Sequence, residues 1–200
     1  LETIAETVPT IADGKLVLPE SPNENYVVSL YGCDNRQVVT MDGAVHAPLV
    51  DMPVNILYQV TNKDDATDVA RSETDVKFIV PGRFQSAEGD NEVPNVVPGL
   101  REWKGAQGDF TLTASSAIVL EDASASALTD TAKICQQYFK EMLGRDITVK
   151  TGTPAAGDVF LKLDASLDFL GEEGYVLEAG DVLTISSGAA KGILYGGISL

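Results

Sequence analysis

Ser126-Ala-Leu-Thr-Asp-Thr-Ala-Lys-Ile-Cys-Gln-Gln-Tyr-Phe-Lys-Glu-Met-Leu143 decides the architecture of the second half of the chain. Apolar residues fall at 128, 132, 135, 138, 139, 142 and 143, the spacing of one face of an α-helix, and Gly144 stands where a left-handed residue closes such a helix. Runs of strand character lie on both sides of it. Phe110-Thr-Leu-Thr113 and Ala117-Ile-Val-Leu120 precede it; Ile147-Thr-Val149, Asp158-Val-Phe-Leu-Lys-Leu163, Gly174-Tyr-Val-Leu-Glu178 and Val182-Leu-Thr-Ile-Ser186 follow. A second apolar helical segment starts at about Ala189 and is still running at Leu200. An amphipathic helix hides only one stripe, so the order strands, helix, strands, helix predicts an α+β domain with the helices packed on one face of a sheet.

Upstream the rhythm is different. Lys15-Leu-Val-Leu18, Tyr26-Val-Val-Ser-Leu-Tyr31, Gln37-Val-Val-Thr-Met41, Val54-Asn-Ile-Leu-Tyr-Gln-Val60 and Asp75-Val-Lys-Phe-Ile-Val80 are short, rich in β-branched and aromatic residues, and separated by turn formers. They predict an all-β sandwich over residues 1–82. From Arg83 to Gly99 the pattern gives way to Gln-Ser-Ala-Glu-Gly-Asp-Asn-Glu with Pro94 and Pro98, the composition of a linker, placed at 83–100. The α+β domain then occupies 101–200. An apolar pattern cut at Leu200 without a stop signal, and a first residue that is not Met, lead us to expect a piece of a longer polypeptide.

Charge narrows the function classes. Thirty acids against 14 bases give a net charge of −16, spread through both halves, which disfavours nucleic acid and anionic lipid as partners. No apolar stretch is long enough to span a bilayer as a helix, so membrane insertion is not expected. Cys33 and Cys135 form neither a disulfide framework nor a Cys-x-x-Cys site. A single histidine, His46, leaves no material for a multi-histidine metal site. No cofactor is expected.

The candidates for chemistry each have a plainer reading. Glu172-Glu173 is an adjacent acid pair, but it sits in a Gly-Glu-Glu-Gly turn where solvent keeps both carboxyls ordinary. Asn62-Lys-Asp-Asp65 with Asp68 suggests Ca²⁺, yet lacks the order of a calcium loop and reads as a hairpin tip. Gly192, Gly196 and Gly197 lack phosphate-loop spacing and read as close approach of a helix to its sheet. Trp103 is a sugar-stacking candidate or an anchor for the linker, and Tyr26, Tyr31 and Tyr58 form a sugar platform or pack within the sheets. No catalytic, cofactor-binding or metal residue is assigned.

Two resemblances add to this. The strand rhythm of the first half, closing on Val-Pro-Gly, is similar to the degenerate immunoglobulin-like modules that accompany secreted bacterial carbohydrate-active enzymes. Pro98-Gly-Leu-Arg-Glu-Trp-Lys-Gly105, Gly108-Asp-Phe-Thr-Leu-Thr113, Leu170-Gly-Glu-Glu-Gly-Tyr-Val-Leu177 and Val182-Leu-Thr-Ile-Ser-Ser-Gly-Ala-Ala-Lys-Gly-Ile-Leu-Tyr-Gly-Gly-Ile-Ser-Leu200 together resemble the N-terminal accessory domain of family 20 glycoside hydrolases, the β-N-acetylhexosaminidase family. The ending Gly197-Ile-Ser-Leu200 departs from the usual Thr-Leu. The resemblance implies a parent that removes terminal β-linked N-acetylhexosamines by substrate-assisted chemistry, with an Asp-Glu pair on a catalytic barrel. Nothing here matches that pair in context, so this chain alone is expected to hydrolyse nothing. Its expected partner is the barrel of the same polypeptide, with glycans as a further possibility, and its expected location is secreted or at the cell surface. The alternative is a stand-alone glycan-binding or structural surface module.

Overall fold

The computed structural model describes residues 1–97 and 99–200; Pro98, counted above in the linker and at the head of one motif, lies outside them. The chain divides into two compact units, Leu1–Ala106 and Gln107–Leu200.

The first unit is mostly β. Strands β1 (Thr10–Ala12) and β2 (Lys15–Val17) form a hairpin. Its two turn residues, Asp13 and Gly14, both have positive φ, 49° and 72°, the combination that matches the twist of a two-residue hairpin. In a second sheet, β3 (Tyr26–Cys33) pairs with one edge of β4 (Met52–Asn62), while β5 (Val69–Arg71) and β6 (Val76–Val80) share the other edge. Alternation along β4 sends Val54, Ile56, Tyr58 and Val60 inward. Val54, Ile56 and Tyr58 meet Leu16, Leu30, Val76, Phe78 and Val80 in one core shared by the two small sheets.

Gln37–Met41 does not form the predicted strand: only an isolated bridge joins Val39 to Val45. The N–H groups of Val38 and Val39 both turn back to the Asn35 carbonyl, and both side chains are buried, so apolarity there reflects a turn that enters the core.

The second unit holds a five-stranded sheet. Strands β7 (Ala117–Leu120), β8 (Thr148–Thr151), β9 (Val159–Leu163), β10 (Val176–Ala179) and β11 (Leu183–Ser187) stand in the order β10-β11-β9-β7-β8. All neighbours are parallel except the β10–β11 pair. Helix α1 (Ala125–Leu143) and helix α2 (Ala190–Ile198) pack against the sheet and against each other. Leu128, Ala132, Cys135 and Phe139 of α1 recur every three or four residues and are buried against Ile118, Leu120, Ile147, Val159, Leu161, Leu183, Ile185 and Ile193. Gly144 closes α1 at φ 65°, its N–H donating to the Lys140 carbonyl.

Phe110–Thr113 makes no strand. Phe110 and Leu112 instead pack on this core by their side chains, which satisfies the alternation without a ladder.

Candidate functional site

The acidic candidates resolve into local structure. Glu172 and Glu173 are exposed, and Glu173 pairs with Lys191 of α2 at 2.6 Å. Hydrogen bonding and attraction from Glu173 raise the Lys191 pKa, as in an ordinary surface ion pair. At the hairpin tip, the Tyr26 hydroxyl and Asn62 Nδ2 both donate to Asp68 Oδ2, while Thr67 donates its N–H and hydroxyl to Asp65 Oδ1. Those donors hold the Asp65 and Asp68 carboxyls below the usual carboxylate range and occupy oxygens that a cation would need. Among the described residues, no group of three or more His, Cys, Asp or Glu is placed to hold a metal ion. His46 is half-buried and joins Val38 through its backbone N–H at 2.8 Å.

The aromatic candidates do not share a surface. Tyr58 is fully buried, donates to the Thr7 carbonyl at 2.8 Å, and has its pKa pushed up to about 12 by burial. Tyr31 is exposed on the outer face of its sheet beneath the Arg71 guanidinium, 4.4 Å from the ring centroid. Tyr26 is engaged at the hairpin tip. Trp103 Nε1 donates to the Asn91 carbonyl at 3.1 Å, and Lys104 pairs with Asp90 at 2.5 Å. Glu102 accepts the Leu49 N–H at 2.8 Å. These bonds tie residues 101–104 to the first unit, so Trp103 acts as an anchor.

The glycines of α2 are required by space. A Cβ on Gly192 would clash with Ser187 Oγ and the Gly174 carbonyl; on Gly196 it would lie 2.5 Å from Ile185 Cγ2, and on Gly197 2.5 Å from Cys135 Sγ. The helix therefore lies directly on β11 and on α1.

One surface was not singled out from the sequence. Ile134, Tyr138 and Met142 follow each other at intervals of four along α1, and they are 43%, 41% and 55% exposed. Tyr195 and Ile198 of α2 are also exposed. The helical periodicity contained the signal: an apolar set at 128, 132, 134, 135, 138, 139, 142 and 143 is wider than the stripe one sheet can cover.

Buried within the second unit is one carboxylate, Asp158, 2% exposed. It accepts the Ala117 and Ala155 N–H groups at 2.8 and 2.9 Å and faces Lys150 at 3.2 Å. Every oxygen is engaged by the fold, which leaves it a structural group.

Residues 93–200 match the family described as glycosyl hydrolase family 20, domain 2. No curated protein matches the chain. Among solved structures, the chain is similar to the family 20 exo-β-N-acetylglucosaminidase from Vibrio harveyi, solved with N-acetylglucosamine, at 10% identity and a TM-score of 0.41. That match covers 72% of this chain and 22% of the other, so the chain spans under a quarter of that protein's length. Through residues 93–200, more than half its length, the chain belongs to glycosyl hydrolase family 20 as a domain 2 member.

Proposed function

We propose that this chain is the non-catalytic N-terminal part of a β-N-acetylhexosaminidase-like glycoside hydrolase, and that its second unit braces the catalytic barrel of the same polypeptide. The observation that carries this reading is the exposed apolar line Ile134, Tyr138 and Met142, with Tyr195 and Ile198 on the neighbouring helix. Large apolar groups grouped on one helical layer are the kind of surface that another folded body covers. The family match supports reading that body as a sugar-cleaving domain. The parent's substrate would be a glycan ending in a β-linked N-acetylhexosamine, and its setting secreted or at a bacterial cell surface. The first unit, an immunoglobulin-like module in this reading, serves as spacer or docking element.

The test uses Tyr138→Asp together with Met142→Asp. Both side chains are exposed here, so the 200-residue chain should keep its stability to within about 1 kcal/mol. In the polypeptide extended through its barrel, the same pair should lower the melting temperature of the catalytic domain and its yield. Equal stability of both extended proteins would remove the bracing role. Hydrolysis of an aryl N-acetyl-β-glucosaminide by the 200-residue chain itself would overturn the non-catalytic assignment.

A further inference from the structure

By composition residues 83–99 are a tether, with few apolar residues, turn formers and prolines. Their bonds say otherwise, because the stretch both starts and returns on the first unit. Arg83 and Phe84 donate their N–H groups to the Pro48 and Leu49 carbonyls, each at 2.9 Å. Further on, the Asn91 N–H donates to the Ala106 carbonyl at 2.9 Å, so the chain that leaves at Asn91 comes back to it at Ala106. Whatever path the residues between them take, they add no reach to the connection with the second unit.

The returning limb is held at several points. Trp103 and Glu102 bond to Asn91 and to Leu49, and Arg101 donates to Gln37 Oε1 at 3.1 Å. Lys104 pairs with Asp90, and these two side chains are only 19% and 15% exposed, which separates this pair from solvated ones such as Lys133 with Asp130. Gly105 lies directly on Asn91: a Cβ there would clash with the Asn91 carbonyl, so glycine is what lets the two limbs meet. Past the junction, Phe110 and Leu112 already pack on the core of the second unit. Between these two anchorages stand Gln107, Gly108 and Asp109, all exposed, with Gly108 at φ 88°, a conformation that favours glycine.

We propose that residues 90–91 and 101–106 form a clasp on the first unit, sealed at Gly105, and that residues 107–109 are the whole of the flexible connection. Three residues reach about 10 Å at full extension, whereas a flexible stretch as long as 83–99 would range over about 20–25 Å. The first unit is therefore carried on a short step instead of a tether. The family-matched region begins at residue 93, so its leading residues serve to close the unit in front of it, and the second unit proper starts at Gln107. The clasp stands on its own contacts, whether or not the second unit braces a barrel.

The test is backbone nitrogen-15 relaxation of the 200-residue chain. Order parameters of about 0.85 are expected at Asn91 and over 101–106, as in β3 and β4, with values below about 0.6 at 107–109. Values below about 0.6 across 101–106 would restore the tether and overturn the proposal. Values near 0.85 at 107–109 would leave no flexible step there and overturn it too. A second measurement uses Gly105→Ala in the same chain. Hydrogen exchange of the Asn91 amide should quicken at least about tenfold, while the amides of α1 keep their rates. Exchange at Asn91 equal to that of the parent would show that glycine does not seal the clasp and would overturn that part of the proposal.

Discussion

Replacing Asp158 by Ala should be among the most damaging single changes in the second unit. The carboxylate is 2% exposed and accepts backbone N–H groups from Ala117, at the start of β7, and from Ala155, in the turn before β9. Alanine leaves the buried Ala117 N–H without a partner, at a cost of about 1–3 kcal/mol, while the N–H of exposed Ala155 turns to water and loses only about 1 kcal/mol, so the loss should be about 2–4 kcal/mol. Asparagine offers one carbonyl oxygen and can serve one of the two, which puts Asp158→Asn at about 1–3 kcal/mol. The pH dependence follows from the same contacts. Burial alone pushes this carboxyl up, but the Ala155 and Ala117 N–H groups and Lys150 outweigh it and hold the folded pKa below its ordinary value of 3.8. A depressed folded pKa means that Asp158 contributes its full stability above the unfolded value, and the contribution is lost as pH falls through the folded one. The parent chain should therefore lose stability below about pH 4 more steeply than Asp158→Asn does. Urea unfolding followed by far-ultraviolet ellipticity reads the second unit, because α1 and α2 both lie there. A loss under about 1 kcal/mol for Asp158→Ala near pH 7, or parallel acid limbs for parent and variant, would refute the reasoning.

Two further outcomes are expected from the packing around α2 and α1. Gly197→Ala places a methyl 2.5 Å from Cys135 Sγ, and this overpacking should cost about 1–3 kcal/mol in urea melts, a penalty that shrinks in a Cys135→Ala background. An equal penalty in both backgrounds would show that the contact is not its source. Cys135 is buried and its thiol is pushed up to about 11, so in the folded chain a disulfide reagent near pH 8 should leave it unmodified and react first at half-buried Cys33. Rapid modification of both thiols without denaturant would contradict the core placement of Cys135.

Much of the fold was legible because its elements obey simple periods. Helix α1 was bounded to within one residue by its apolar spacing and by Gly144. The failures came where apolarity had another cause. Val38 and Val39 are buried in a turn, and Phe110 and Leu112 dock on a core without backbone pairing. In both, side-chain burial imitates strand alternation. The hairpin strand β1 was missed although Asp13-Gly14 marks its turn, because three residues are too few to display a period. The candidate site was legible mainly as local geometry: an exposed acid pair, a hairpin tip and close-packed glycines. The exposed line on α1 escaped notice because Ile134, Tyr138 and Met142 are apolar like the core residues beside them, and a sequence does not show how wide a face its sheet can cover.

The central claim is that the outer face of α1 and α2 is covered in the working protein. Amide hydrogen exchange over residues 131–142 and 194–198 should be compared between the 200-residue chain and the same chain extended through its catalytic barrel. The account predicts exchange at least about tenfold slower in the extended protein at these segments, with β1–β6 unchanged. Identical exchange across both helices, with protection gained elsewhere or nowhere, would contradict it.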